Sequence, residues 1–215
     1  MKKFTLAFFA LTAFAFADPV LVNGSFEAVA INTGVGYSYQ TVAAPVPQQD
    51  FNGAPGFGWT LAEGSGLSSN GSAFNPPTIT AGTQALFLQG STSASQSLNF
   101  AAGSYVLNFT IGGRQNDGCC DGNQWVRVTV SNGSGTVLSQ LVSTASYSPF
   151  DPQSLAFSTG AGAYTVTFAG LAERDSTAFV DAVSIASVPE PAATASLVAG
   201  LGLAGLVARR RKHSA

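Results

Sequence analysis

Tyr105-Val106-Leu107-Asn108-Phe109-Thr110-Ile111 is the stretch that decides the fold class. Tyr105, Leu107, Phe109 and Ile111 alternate with Val106, Asn108 and Thr110. A repeat of two puts those four large apolar side chains on one side of an extended chain, whereas a helix would scatter them around its axis. The same period recurs downstream. Val126, Val128 and Val130 alternate with Trp125, Arg127 and Thr129, and Tyr164, Val166 and Phe168 alternate with Thr165 and Thr167. Phe179, Asp181, Val183 and Ile185 alternate with Val180, Ala182 and Ser184. Shorter candidate strands are Leu86–Leu88, Ser97–Phe100, Val137–Val142 and Leu155–Phe157, punctuated by turns such as Ala102-Gly103 and Asn132-Gly133. Many short strands at this spacing, with no helical period among them, predict an all-β antiparallel β-sandwich of two sheets.

Upstream, residues 18–77 are less regular. They open on Val20-Leu21-Val22-Asn23-Gly24-Ser25-Phe26-Glu27 and continue through a Gly, Pro and aromatic region holding Tyr37, Tyr39, Phe51, Phe57 and Trp59. Loops this long in a compact domain are functional or mobile. Trp59 reads as core.

The two ends of the chain have a different character. Lys2 and Lys3 precede an apolar run from Phe4 to Phe14, followed by the small-residue pattern Ala15-Phe16-Ala17. That order predicts a secretory signal peptide over residues 1–17, cleaved after Ala17. The domain expected to remain folded is 18–187. From 188 to 215 the chain reads Val188-Pro189-Glu190-Pro191, then an uncharged stretch from Ala192 to Ala208, then Arg209-Arg210-Arg211-Lys212. The prolines force an extended, accessible segment. The stretch 192–208, as a helix, spans about 25 Å, enough to cross the inner membrane with snorkelling. The four cations hold the end in the cytoplasm.

This tripartite end resembles the PEP-CTERM sorting signal of Gram-negative bacteria, with Pro189, Glu190 and Pro191 as its motif. The resemblance implies a partner, exosortase, a membrane cysteine transpeptidase that cleaves near the motif. It implies an inner-membrane-anchored precursor and a mature form at the cell surface or in the extracellular matrix, in a setting of exopolysaccharide. The Asn23-Gly24-Ser25-Phe26-Glu27 opening, Trp59 and the closing Phe179-to-Ile185 strand resemble galactose-binding-like jelly rolls, a superfamily that includes many carbohydrate-binding modules. In those modules the first turn and last strand lie side by side and often hold a structural Ca²⁺, which implies Glu27 and Asp181 as its ligands here.

Charge narrows the partners. The chain is −2 overall, yet residues 18–188 hold three arginines against ten carboxylates, a net −7. Phosphate neutralisation has no basis in such a domain, so nucleic acid is not expected as a partner. The sole histidine, His213, lies in the basic tail, which excludes Ser-His-Asp and Cys-His catalysis in the body. Two adjacent cysteines, Cys119 and Cys120, cannot staple distant strands. They are expected as a vicinal disulfide in an oxidising compartment, with two reduced thiols or an intermolecular bridge as alternatives. Asp117, Asp121 and Asn123 in the same loop do not match the helix–loop–helix calcium pattern and read as a solvated hairpin tip.

Asp181 is the sharpest single residue. With apolar neighbours at two-residue spacing, its carboxylate is expected to point inward, where it needs a cation, an arginine or several N–H donors. Ca²⁺ shared with Glu27 satisfies that need. A cap on the backbone amides of the Asn23–Phe26 turn satisfies it equally. Trp125, Arg127 and Arg114 are the candidate ligand-binding residues: an exposed tryptophan stacks on a sugar ring and arginine donates to hydroxyls or carboxylates. The alternative is that Trp125 packs against the Tyr37–Trp59 segment. No catalytic residues are assigned. The expected function is a non-catalytic exported protein that binds or associates with exopolysaccharide. A structural or adhesive protein without glycan binding, or a glycan hydrolase, are its rivals.

Overall fold

The structure is a computed structural model, and it describes residues 19–43, 45–115, 123–171 and 176–189. The described residues of the compact unit Asp18–Val188 form twelve strands: β1 (Tyr37–Gln40), β2 (Gln48–Gln49), β3 (Thr60–Leu61), β4 (Ser65–Ser69), β5 (Gln84–Gln89), β6 (Ser93–Phe100), β7 (Gly103–Gly113), β8 (Asn123–Asn132), β9 (Gly135–Ala145), β10 (Asp151–Thr159), β11 (Gly162–Gly170) and β12 (Thr177–Val188). One sheet has the order β10-β7-β12-β5-β4-β1-β2 and the other β3-β6-β11-β8-β9. The long strands β5 to β12 cross from sheet to sheet at each step except the β8–β9 hairpin. Their orders, β5-β12-β7-β10 and β6-β11-β8-β9, are those of an eight-stranded jelly roll. The expected β-sandwich is realised. Its pairings are antiparallel except β1 with β2, which run parallel at one edge.

The period-two stretches do what their pattern dictates. Tyr105, Leu107, Phe109 and Ile111 of β7 face Val126, Val128 and Val130 of β8 and Val166 and Phe168 of β11 in one buried core between the sheets. The short candidates extend into full strands, β5, β6, β9 and β10. At the β8–β9 turn the Asn132 side chain accepts from the amides of Ser134 and Gly135, at 2.9 and 3.1 Å, and closes the hairpin.

The irregular opening segment is held by side chains in place of a ladder. Trp59 is core, as expected; its ring packs on Phe26 at 5.3 Å and Phe168 at 6.1 Å, and its indole N–H donates to the Asn23 carbonyl at 3.0 Å. Gln96 of β6, buried between the sheets, grips Val22 at both backbone groups, at 2.8 and 2.9 Å, imitating a strand partner. Gln96→Ala removes both bonds and strands two backbone groups. It is expected to cost about 1–3 kcal/mol in urea denaturation, with a thermal shift of a few degrees.

The last strand departs from expectation in one respect. Alternation from Phe179 to Ile185 does not run straight through. The β12–β7 register shifts between Asp181 and Ser184, and Ala182 adopts φ 51°. Phe179 packs in a satellite cluster with Phe74 and Phe87, whereas Val180, Val183 and Ile185 pack in the main core. A β-bulge therefore inserts one residue and changes the phase of the strand at Asp181. Asp181 is buried, as expected, but by this bulge and not by an unbroken inward row.

Candidate functional site

Two places in the fold concentrate the residues that chemistry would use. The first is the junction of the opening turn with β12. The Val183 amide donates to the Gly24 carbonyl at 2.8 Å, so first turn and last strand do lie side by side. Contact is close enough that a Cβ on Gly24 would meet the Val183 carbonyl oxygen at 1.9 Å, which only glycine avoids. Three non-glycine residues here, Asn23 (φ 53°), Phe26 (φ 59°) and Ala182 (φ 51°), hold left-handed backbone, conformations that cost energy and persist where surrounding structure enforces them.

Glu27 reaches from this turn to the start of β5. Its carboxylate accepts from the Thr83 and Gln84 amides, both at 2.8 Å, and from the Thr83 hydroxyl at 2.7 Å. Gln84 returns the contact, donating to the Phe26 and Val29 carbonyls at 2.6 and 2.7 Å. Asp181 is 3% exposed. Its carboxylate accepts from the Ala182 amide at 2.7 Å, so the amide it caps is its neighbour's and not one of the Asn23–Phe26 turn. Burial pushes its carboxyl up from 3.8 to about 7; the Ala182 amide opposes the rise, and the nearby negative charge of Glu27 adds to it. The structure thus brings Glu27 and Asp181 together as like charges. Among the described residues no arginine or lysine pairs with either. Two carboxylates are hard oxygen donors of the kind Ca²⁺ takes, and among the described residues no third acidic, histidine or cysteine side chain joins them. A polymer cannot reach Asp181, so this pair does not form a glycosidase cleft.

The second place is the outer face of the five-stranded sheet. Register sets its rows: Thr60, Ser95, Thr167, Thr129 and Ser139; then Ser93, Ala169, Arg127 and Leu141; then Ser97, Thr165 and Ser131. None of these residues is buried, and the single formal charge among them is that of Arg127. Trp125 lies two residues along β8 on the same side, about 7 Å away, beside Ser143, with its backbone carbonyl accepting from Leu171 at 2.9 Å. It is 42% exposed.

Arg114 does not join them. Its Nε donates to the Phe74 carbonyl at 3.1 Å and its guanidinium lies 4.7 Å over the Phe74 ring. Phe74 stacks on Phe87 at 4.3 Å in the satellite cluster, on the opposite side of the sandwich from Trp125. A cation over an aromatic face is favourable where it stands, which makes Arg114 part of the cover over the seven-stranded sheet.

Cys119, Cys120, Asp117 and Asp121 lie outside the described residues, as do residues 1–17, expected as a signal peptide, Glu190, Pro191 and the stretch 192–208. Asn123 is the first residue of β8. Sequence reading missed Gln84 and Gln96, whose only signal is a long amide inside an otherwise small or apolar strand. Among the described residues no helix is long and apolar enough to cross a membrane.

Residues 187–212 match the PEP-CTERM protein-sorting motif. The chain carries a PEP-CTERM sorting signal. The signal marks an exported protein, membrane-anchored before processing by exosortase. It begins where β12 ends: Ser187 and Val188 still pair with Tyr105 and Ser104, and Pro189 has no N–H to continue the ladder. None of the curated proteins compared matches the sequence. Among solved structures, the chain is similar to TmCBM61 in complex with β-1,4-galactotriose, at 14% identity and a TM-score of 0.44, covering 60% of this chain and 88% of that one. It is similar to the CBM22-1 xylan-binding domain of Paenibacillus barcinonensis Xyn10C, at 15% identity and a TM-score of 0.44, covering 62% and 88%. It is also similar to an arabinose-bound α-L-arabinofuranosidase, at 12% identity and a TM-score of 0.48, covering 79% of this chain and 26% of that enzyme.

Proposed function

We propose that the exported domain binds polysaccharide on the open face of its five-stranded sheet, without catalysis, at the cell surface or in an exopolysaccharide matrix. One observation carries the reading: Trp125 stands exposed beside Arg127 on a face whose other described residues are mostly hydroxyl-bearing and include no carboxylate. The indole offers an apolar plane for the CH face of a pyranose, and Arg127 donates to hydroxyls or to a sugar carboxylate. Serine and threonine rows extend that surface as donors and acceptors along an extended chain. On the seven-stranded sheet Phe74, Phe87 and Phe179 are buried, with the Arg114 guanidinium over the Phe74 ring.

Calcium has a structural part in this reading. Glu27 and Asp181 would hold the ion, and the ion would supply the positive charge that the buried Asp181 lacks. It would tie the opening turn to the closing strand and leave the binding face to Trp125 and Arg127.

A glycan array that includes the host's own exopolysaccharide, probed with residues 18–188, tests the function. Trp125→Ala is expected to weaken the retained glycan by roughly ten- to a hundredfold, the loss expected of an aromatic anchor. Arg127→Ala is expected to weaken it less for neutral glycans than for uronate-containing ones. Retention that survives Trp125→Ala unchanged would move the site elsewhere.

A further inference from the structure

The four outer edges of the two sheets are not alike. β2 and β3 are two residues long, and β10 begins Asp151-Pro152, a charge followed by a residue without N–H. Short strands, charge and proline are the devices by which sheets avoid pairing with another chain. β9 is the exception. It forms the edge of the five-stranded sheet, runs eleven residues, and reads Gly-Thr-Val-Leu-Ser-Gln-Leu-Val-Ser-Thr-Ala, with no charge, no proline and no glycine after its first residue. Val137 and Leu141 are exposed and Leu138 is only partly covered by the core. The one irregularity opposite it, at Val130–Ser131, falls by the hairpin turn and leaves Leu138–Ala145 in regular register with β8.

We propose that β9 is the docking edge for a second copy of this chain, pairing antiparallel with its counterpart to make one continuous ten-stranded sheet. The sequence of β9 suits itself. Centred on Gln140, the pairing sets Leu138 against Val142 of the second copy, apolar against apolar, and the two Gln140 amides against each other. A domain of net −7 repels its own copy, and an uncharged edge strand is where two copies can approach at least cost. A two-fold axis normal to the sheet makes the interface isologous and closed. It also turns both Trp125 faces the same way, so a dimer meets one polymer with two sites and gains avidity without a new contact. The association itself does not depend on glycan binding.

Sedimentation velocity of residues 18–188 without glycan, at rising concentration, tests the pairing. Dimer is expected to accumulate with concentration. Ser139→Lys with Leu141→Lys places lysines directly opposite lysines across the proposed pair, where like charges are destabilising; both positions are exposed, so the fold stands. That variant is expected to sediment as monomer with an unchanged melting temperature, and Trp125→Ala is expected to remain dimeric. If the double variant melts early, Ser139→Lys alone replaces it. A wild-type domain that stays monomeric up to about 100 µM, where even weak pairs form, overturns the proposal. So does a lysine variant that dimerises like the wild type.

Discussion

In chelator at pH 8, Asp181→Asn is expected to stabilise the domain by about 3–4 kcal/mol and to flatten its dependence on pH. The reasoning is one of linkage. The Asp181 carboxyl holds its proton up to about 7 in the fold, against 3.8 for the unperturbed group. Between those values the folded state binds more protons than the unfolded chain, so stability falls as pH rises from about 4 to about 7 and is level above. An ionised Asp181 is a buried charge beside Glu27 with one amide to serve it. Asparagine fills the same space, keeps an acceptor for the Ala182 amide and carries no charge. Saturating Ca²⁺ is expected to reverse the comparison. The wild type gains about 2.7 kcal/mol at a calcium concentration a hundredfold above Kd, and Asp181→Asn, having lost a charged ligand, gains little. Glu27→Gln is expected to lose part of the same gain. Thermal melts at pH 5 and pH 8, with EDTA and with calcium, check all of this. A wild type that melts equally at both pH values in EDTA would show that Asp181 is not desolvated. A melting temperature indifferent to EDTA in protein as purified, with no calcium co-purifying, would remove the ion.

Phe168→Ala is expected to destabilise the domain by about 3–5 kcal/mol. Phe168 is fully buried on β11 and meets Phe109 of the opposing sheet edge to face at 5.0 Å and Trp59 of the opening segment at 6.1 Å. It therefore joins both sheets to the segment that carries the opening turn. Rigid strands on all sides cannot collapse into the space a benzyl group leaves, so the cavity term adds to the lost transfer energy. A loss of that size is a large share of a single domain's stability. Urea denaturation measures it; a cost below about 1 kcal/mol would mean that the core reorganises around the gap.

Much of the sandwich was legible because its long strands are half-buried. One face of β7, β8 and β11 is apolar and the other polar, and that contrast writes period two into the sequence. β1 to β4 leave no such record. They are two to five residues long, and the segment ahead of them is held by Asn23, Gln84 and Gln96 side chains bonding to backbone, contacts that have no period. The bulge at Asp181 was hidden for a related reason. Ala182 takes a left-handed φ without a glycine to announce it, and the residues after the bulge happen to be apolar in the parity that a straight strand would need. Arg114 could not be separated from Trp125 and Arg127 by sequence, since only the satellite cluster around Phe74 shows which side of the sandwich it serves. That the opening turn lies beside the closing strand was legible through resemblance, while the capping of β5 by Glu27 emerged from the geometry.

The proposed glycan face depends on Trp125 above all, and the domain's two tryptophans make it directly measurable. Trp59 is buried and Trp125 exposed, so in Trp59→Phe the emission reports Trp125 alone. Acrylamide quenching of that variant, measured with and without the host's exopolysaccharide, is the most direct test. The account predicts strong quenching in the free domain, and protection with a shift of emission to the blue when the polysaccharide is bound. Binding of the polysaccharide that leaves Trp125 as quenchable as before would contradict it.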